Sequence, residues 1–175
     1  MSEVYLRKAK AADFKQVSQL IEIGRRLLKE DHSPQWQDGN PSPTLLLQDI
    51  EKQRGYVLIY QEEIVGYGVL IELPDEAYEK IAEGKWKSGT SQYASIHRMA
   101  VNPDFKGKGL GENLLRLLKK EALEKGFFDI RIDTHEQNLR MQHLICKLDF
   151  SYQGIVYVDD SKDGKRLAYQ WVLEA

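Results

Sequence analysis

A glycine-rich run in the second half of the chain could bind a phosphate group. It reads Lys106-Gly107-Lys108-Gly109-Leu110-Gly111 and stands between a predicted strand and a predicted helix. Glycine permits backbone angles that other residues avoid and lets a ligand approach the main chain closely. The unpaired N–H groups at the start of a helix, together with the helix dipole, attract anions, and the two lysines add positive charge.

Two common phosphate-binding fingerprints do not match this run. The dinucleotide pattern G-x-G-x-x-G places Glu112 at its third glycine when it is counted from Gly107, and Leu114 when it is counted from Gly109. The chain also lacks the Walker A pattern, G-x-x-x-x-G-K followed by Ser or Thr. A plain strand-to-helix turn, in which the glycines give only flexibility, stays open as an alternative.

The elements that would position this run follow from the periodicity of the apolar residues. Helices are predicted near residues 13–28, 45–50, 110–122 and 139–147. Strands are predicted at residues 4–7, 56–60, 64–71, 93–101, 128–132, 152–158 and 167–173. The order β-α-α-β-β-β-α-β-α-β-β indicates an α/β fold with a mixed sheet. The charged segment 74–90 is interpreted as an insertion or lid with a helical piece around residues 77–81.

Composition limits the class of protein. The 175 residues suit a single domain, predicted as residues 1–175. A net charge of −2, from 25 basic and 27 acidic residues, gives no electrostatic reason to expect a nucleic-acid partner. Cys146 is the only cysteine, which excludes an intramolecular disulfide and a cysteine-based zinc cluster, and no metal site is predicted. No signal peptide and no apolar run of roughly 20 residues is visible, so we expect a cytoplasmic location and no membrane partner.

The glycine-rich run and its flanks resemble the GNAT acetyltransferases. The family motif Gln/Arg-x-x-Gly-x-Gly/Ala lies between the fourth strand and the third helix. Lys106, Gly109 and Gly111 occupy its places, with lysine instead of the usual glutamine or arginine. Three further family features follow in the same order along the chain, between about Ala94 and Phe150. The end of the fourth strand, "-AV-x-P-", is matched by Ala100-Val101-Asn102-Pro103. The fifth strand with its asparagine is matched by Asp133-Thr134-His135-Glu136-Gln137-Asn138, and Leu148-Asp149-Phe150 stands in place of "-GF-".

The resemblance implies a GNAT fold, in which helices flank a mostly antiparallel sheet that is splayed between strands 4 and 5. It implies an N-acetyltransferase that moves the acetyl group of acetyl-CoA to a primary amine of a small molecule, peptide or protein. It is also compatible with a homodimer, although nothing in the sequence marks an interface. The loop N–H groups would bind the pyrophosphate, and the main chain of the fourth strand would pair with the pantetheine arm. The implied cofactor-binding residues are Met99, Ala100, Val101, Lys106, Gly107, Lys108, Gly109, Leu110, Gly111, Glu112 and Asn138.

Acetylation of an amine requires a neutral nucleophile, and a base can remove the proton of the ammonium form. His97 is the best candidate, because by resemblance its strand lines the thioester and an ordinary histidine pKa of about 6.5 suits this task. Ser95 lies on the same strand face and could orient a water. An equally open interpretation is that His97 is a partly buried strand residue that only forms a hydrogen bond with a neighbouring group. His135 is expected to brace its loop, and His143 to lie at the surface or the cofactor rim.

The general acid is the poorest match to the family. Many members carry a tyrosine on the fourth helix, five residues before the phenylalanine of "-GF-", and this chain has Ile145 there. Cys146 is adjacent but would face another direction. Tyr152 and Tyr157 are the nearest tyrosines, and Tyr152 is interpreted as core packing. The isoleucine leaves open a CoA-binding sensor without catalysis, whereas the flanking strands argue against an unrelated ATP-binding protein.

The variable first half of the chain would build the acceptor site. Trp36, Tyr67 and the segment around Tyr93 are expected as its walls. Aromatic side chains beside carboxylates such as Asp38 or Glu72 would favour a cationic amine. Trp36 could instead only anchor its own loop, and both readings stay open.

Overall fold

The computed structural model describes residues 3–105 and 107–174. Lys106, one of the predicted cofactor-binding residues, lies outside the described residues. The strands are β1 Val4–Lys8, β2 Gly55–Tyr60, β3 Glu63–Ile71, β4 Ala94–Val101, β5 Asp129–Thr134, β6 Ser151–Tyr157 and β7 Lys165–Val172. The α-helices are α1 Phe14–Glu30, α2 Pro43–Glu51, α3 Leu110–Glu124 and α4 Leu139–Lys147, and short 3-10 helices cover Ala11–Asp13 and Glu76–Lys80.

The strands form one seven-stranded sheet in the order β1-β2-β3-β4-β5-β7-β6. Neighbouring strands are antiparallel except β4 and β5, which are parallel. Helices α3 and α4 cover one face with a core that includes Leu114, Leu118 and Ile145, and α1 and α2 cover the other face with Ile21 and Leu46. The predicted mixed α/β fold and its element order are confirmed.

Side-chain caps explain where two of the helices begin. Ser42 accepts a hydrogen bond from Leu45 N over 3.2 Å at the start of α2, with Pro43 in the first helical position. Asn138 accepts one from Met141 N over 3.2 Å at the start of α4. Each cap satisfies an N–H group that has no partner inside its helix. Within the described residues, no helix combines the length and apolar character that crossing a membrane requires.

The hairpin between β2 and β3 is tighter than the sequence predicts. Three polar residues were expected to join the strands, but Glu63 already belongs to β3. The turn therefore consists of Gln61 and Glu62, whose φ angles are 48° and 65°. Two consecutive residues with positive φ are typical of the turns that match the twist of a two-residue hairpin.

The segment between β3 and β4 is fastened to the sheet by a buried arginine. The Arg131 guanidinium carbon lies 4.3 Å from the Trp86 ring centroid and 3.8 Å from that of Tyr93. Nε and Nη2 of Arg131 donate over 3.1 Å to the two carboxylate oxygens of Asp129, which also accept from Gln170 Nε2. Planar guanidinium groups favour this combination of aromatic stacking and two-pronged hydrogen bonding. The segment 74–93, here called the insertion, is therefore tied to β5 and β7.

Candidate functional site

The two parallel strands at the centre of the sheet separate halfway along their length. β4 and β5 pair at Ala94–Ile130, Ser95–Arg131 and Ile96–Ile132, and the register ends there. The rest of β4 and the end of β5 line an open cleft. A strand without a neighbour has main-chain groups that an extended ligand can use. The splay predicted between strands 4 and 5 is confirmed.

A β-bulge changes the direction of β4 inside this cleft. On the β3 side, Val69 pairs with His97 while Tyr67 pairs with Ala100, so β4 contains one extra residue there. Arg98 lies in the bulge with a φ of 52°. Bulges re-aim main-chain groups and side chains next to functional sites, and this one turns the part of β4 that follows His97 away from β5.

The carboxylate of Asp49 on α2 holds the bulge from behind. Asp49 is fully buried, with its oxygens 2.7 Å from Arg98 Nε and 3.0 Å from Arg98 Nη2. It also accepts a 2.6 Å hydrogen bond from Arg54 Nε. A buried carboxylate requires such charged donors to offset its lost hydration. No local pattern predicts this pairing, because it joins residues 49 positions apart.

A cavity of about 570 Å³ occupies the cleft. At one end it is lined by predicted cofactor-binding residues: Met99, Ala100, Val101, Gly111 and Asn138. At the other end it is lined by residues of α1, of the loop after α1 and of the insertion, including Trp36 and Asp75. The cavity therefore connects the start of α3 with the variable first half of the chain.

The glycine-rich loop has the backbone geometry that the sequence predicts. Gly107 and Gly109 have φ angles of 75° and 62°. Asn113 N donates to Gly109 O over 2.9 Å, so the N–H groups just before Asn113 are those that lack partners inside α3. Leu110 can contribute only its main chain, because its side chain is buried in the core. The Glu112 carboxylate is 2.8 Å from Lys147 Nζ. Lys108 is exposed.

Asn138 connects the cofactor end of the cavity with the loop after α1. Besides capping α4, its amide nitrogen lies 3.2 Å from Gln35 Oε1, and His135 N lies 3.4 Å from the same oxygen. His135 Nδ1 accepts from Gln137 N over 3.1 Å, which is the arrangement of the predicted loop brace. His143 is exposed on α4. Sequence reasoning missed Gln35, because nothing local marks a contact across a hundred residues.

His97 and Ser95 meet on the face of β4 that the insertion covers. His97 Nε2 is 2.8 Å from Ser95 Oγ and 3.5 Å from Asp75 Oδ2, and its ring stacks on Tyr78 with centroids 6.0 Å apart. A proton on Nε2 would satisfy these two oxygens and leave the lone pair on Nδ1. Ser95 is fully buried beneath the imidazole, so its hydroxyl contacts His97 directly.

The surroundings of His97 lower its pKa, the property for which it was predicted to be the base. Burial, and then the positive charges of Arg98 and Arg54, lower the pKa of His97 to about 3. A histidine with this pKa is neutral across the neutral range and takes up a proton reluctantly. The ordinary histidine pKa of about 6.5 therefore does not apply to His97, and its catalytic role stays a prediction.

A second titratable group stands across the cleft from His97. Asp133 is the second-last residue of β5, and its Oδ2 accepts a 2.6 Å hydrogen bond from the hydroxyl of Tyr78. Arg166 Nε is 3.9 Å from Oδ1. Burial is the main cause that raises the pKa of Asp133 above its ordinary value. Asp133 was named from the sequence only as part of the fifth-strand motif, although a carboxylate near the carboxyl end of a parallel strand is a signal that could have been used.

Comparison with known proteins decides the family. The model of the Acetyltransferase (GNAT) family matches residues 21–150, well over half of the chain. The chain belongs to the GNAT acetyltransferase family. Members of this family are enzymes that transfer an acyl group and use acetyl-CoA, so the predicted family, enzyme class and cofactor are confirmed.

Several solved or characterised GNAT proteins are similar to this chain. A GNAT-family acetyltransferase from Streptococcus agalactiae 2603 is 34 % identical with a TM-score of 0.89, covering 98 % of this chain and 96 % of that one. Streptothricin acetyltransferase from Escherichia coli is 29 % identical over 94 residues, which are 54 % of this chain and 51 % of that protein. The chain thus matches about half the length of this relative. PaiA N-acetyltransferase from Thermoplasma acidophilum, in complex with coenzyme A, is 16 % identical with a TM-score of 0.67 over 98 % and 99 % of the two chains, which shows the fold alone.

The residue at the usual position of the GNAT general acid lies in the core. Ile145 is fully buried between α3, α4 and the sheet. Tyr152 and Tyr157 are 51 % and 54 % exposed, because both lie on β6, the edge strand of the sheet. The interpretation of Tyr152 as core packing is therefore wrong. Cys146 is exposed on α4.

The acceptor end of this GNAT cleft differs from the sequence-based expectation. Trp36 lines the cavity as predicted. Tyr67 is instead fully buried in the core beneath α1 and α2, and Tyr93 is buried against Arg131, so neither forms a wall. The pleat of β3 and the stacking of Arg131 direct these rings away from the cleft.

The carboxylates of the acceptor end are also not the predicted ones. Glu72 is exposed and lies 3.5 Å from Lys125 Nζ, and Asp38 is exposed with its Oδ1 3.0 Å from Asn40 N. The carboxylates that line the cavity are Asp31, Asp75 and Asp133. Sequence alone could not select them, because they come from three separate parts of the chain.

Proposed function

We propose that this protein transfers the acetyl group of acetyl-CoA to a cationic primary amine in the cleft between β4 and β5. The observation that carries the proposal is the end of the parallel register at Ile96 and Ile132. It opens a cavity that reaches from Gly111 at the start of α3 to Asp75 in the insertion. A thioester arm entering from one end and an amine entering from the other would meet beside His97.

The cofactor would be held mainly by main-chain groups. The N–H groups at the start of α3 suit the pyrophosphate, and the unpaired side of β4 at Met99 and Val101 suits the amide groups of the pantetheine arm. Near Arg98, the N–H groups that the bulge re-aims would stabilise negative charge on the thioester oxygen during attack. Asn138 lies beside this path, and Ser95 would hold the imidazole of His97.

The charges of the cavity favour a cationic acceptor. Arg140 on α4 is bound to Asp31, with Nε 3.0 Å from Oδ2, and the guanidinium of Arg98 is bound behind the bulge. Of the other two lining carboxylates, Asp75 has no guanidinium ion pair among the described residues, and Asp133 has only Arg166, whose Nε lies 3.9 Å from Oδ1. An ammonium group entering the cleft would meet them, because opposite charges attract strongly where little water remains.

A thiol-release assay with acetyl-CoA tests this function. The panel would contain primary alkylamines, polyamines, aminosugars and peptides with free N-termini. We expect turnover with some cationic amines, and isothermal titration should show acetyl-CoA binding. Binding of acetyl-CoA without turnover of any amine would instead support a CoA-binding sensor, the alternative that the buried Ile145 favours.

Replacement of Gly109 by valine is expected to weaken acetyl-CoA binding by about tenfold or more, roughly 1.4 kcal/mol. A β-branched residue at a φ of 62° is strained, and its side chain would stand where the phosphate approaches. Gly126→Val is the matched control, since Gly126 has a φ of 89° and open space around it but lies after α3. Equal affinities of the two variants for acetyl-CoA would contradict the proposed phosphate site.

Replacement of His97 by glutamine is expected to lower kcat by about 10²-fold, as for a neutral imidazole that passes a proton from the attacking nitrogen toward the leaving sulfur. The dissociation constant of acetyl-CoA should change little. Because the pKa of His97 is lowered to about 3, the acid limb of kcat/KM between pH 5 and 8 should keep its position in the variant. If the acid limb of kcat/KM is absent from the glutamine variant, His97 itself titrates near neutrality, which would contradict this expectation.

Three further expectations belong to the same proposal. The described residues act as a single domain, the protein works in the cytoplasm, and it forms a homodimer. The first is supported by the one continuous sheet that joins both halves of the chain. The other two stay predictions from the sequence and the family resemblance.

A further inference from the structure

Asp133 and His97 occupy the first rung at which β4 and β5 no longer pair. The last paired residues are Ile96 and Ile132, and each is followed by one of these two. Residues of one rung in a parallel pair lie on the same face of the sheet, so both are turned toward the insertion. Tyr78 of the insertion contacts both residues, because its ring stacks on His97 and its hydroxyl donates a hydrogen bond to Asp133. Both residues line the cavity.

We infer that Asp133, held by the hydroxyl of Tyr78, binds the ammonium form of the acceptor and takes its proton before the attack on acetyl-CoA. The inference rests on the proposed acetyl transfer. Asp133 is the carboxylate at the point where the strands part, and its side chain is only 9 % exposed. It is therefore shielded from water yet open to the cavity, as a group that receives a proton from a bound substrate should be.

The groups around Asp133 support this role. Burial raises the pKa of its carboxyl and is opposed by the hydrogen bond of Tyr78. At neutral pH, Asp133 is thus a better proton acceptor than His97, whose pKa is lowered to about 3. The charged or titratable groups that act on Asp133 are Tyr78 and Asp75 of the insertion, Arg166 of β7 and Arg98 of β4. His97 of β4 stacks on the same Tyr78 ring.

The reaction balances without any further reactant. A proton moves from the ammonium nitrogen to the Asp133 carboxylate, and the freed lone pair forms a bond to the thioester carbon. The carbon–sulfur bond then breaks with its electron pair on sulfur, which takes the second proton of the nitrogen. Asp133 returns the first proton to solvent. The products are the amide, coenzyme A with a free thiol, and one proton.

The test measures kcat/KM of the Asp133→Asn variant with two acceptors that differ in charge. The first acceptor is the alkylamine that the parent turns over fastest. The second is its alkoxyamine analogue, in which oxygen replaces the carbon next to nitrogen and which is uncharged at pH 7. We expect kcat/KM to fall by about 10²-fold or more for the alkylamine and by less than about tenfold for the alkoxyamine. Asp160→Asn, at an exposed carboxylate in the β6–β7 turn, is the matched control and should behave as the parent.

Each outcome decides something. Equal losses for both acceptors would overturn the inference, because a purely structural role makes no distinction between them. A parent that binds acetyl-CoA but turns over no amine would overturn the proposed function instead. If Asp133→Asn does not fold, Tyr78→Phe decides: it keeps the carboxylate and removes a hydrogen bond that lowers the pKa of Asp133. The acid limb of kcat/KM should then move to higher pH, and an unmoved limb would overturn the inference.

Discussion

Replacement of Asp49 by alanine is expected to lower the free energy of unfolding by about 3–5 kcal/mol. The fully buried carboxylate accepts hydrogen bonds from Arg54 Nε at 2.6 Å and from Arg98 Nε at 2.7 Å. Without it, two largely buried guanidinium groups keep their charge and lose their anion. Urea denaturation would measure the loss, and stability equal to the parent would contradict this account of the cluster.

The same replacement should also affect catalysis, because Arg98 lies in the bulge that shapes the cleft. We expect a lower kcat at temperatures where the variant is still folded. Arg54→Met is the matched control, since it removes the other donor of Asp49 but leaves both hydrogen bonds between Asp49 and Arg98. It should destabilise the protein while kcat stays nearer to that of the parent. Equal losses of kcat in the two variants would show that the pair does not position the bulge.

Replacement of Arg131 by methionine is the second change with a large expected effect, again about 3–5 kcal/mol in the free energy of unfolding. Methionine fills part of the space between Trp86 and Tyr93 but leaves the buried carboxylate of Asp129 without its cation. The remaining donors to Asp129, among them Gln170, are neutral. Thermal and urea unfolding would measure the loss.

The Arg131 variant should also raise the KM of the amine far more than the dissociation constant of acetyl-CoA. The insertion that Arg131 fastens carries Asp75 and Tyr78 to the acceptor end of the cavity. Hydrogen exchange of residues 74–93 should become faster. Arg131→Lys keeps the charge but not the planar guanidinium and should fall between parent and methionine variant. An unchanged amine KM with faster exchange would show that the insertion does not order the acceptor site.

Much of the fold was predictable because its signals are local. The apolar periodicity predicted the order of strands and helices, and α4 was placed at residues 139–147 as found. Gly107 and Gly109 were expected to adopt unusual backbone angles, and both have positive φ. These features depend on a residue and its near neighbours, which is why one sequence sufficed to predict them.

The candidate site was predictable only in part. The cofactor end came from a contiguous motif, so residues such as Gly111 and Asn138 could be named and do line the cavity. The acceptor end could not be named, because Asp75 and Asp133 lie 58 positions apart along the chain and are brought together only by the packing of the insertion. Tyr67 was placed wrongly, since strand alternation does not tell which face of the sheet will hold a core.

The kinds of element, their order and the backbone geometry of the phosphate loop follow from the amino-acid sequence, because short-range sterics and helix polarity depend on neighbouring residues alone. Long-range packing sets which strands separate, which carboxylates face the opening, and how strongly each group holds a proton. A pKa reflects the water that packing removes and the charges that packing brings near. For that reason His97, the base that its residue type suggested, became the weaker proton acceptor, and Asp133 across the cleft became the stronger one.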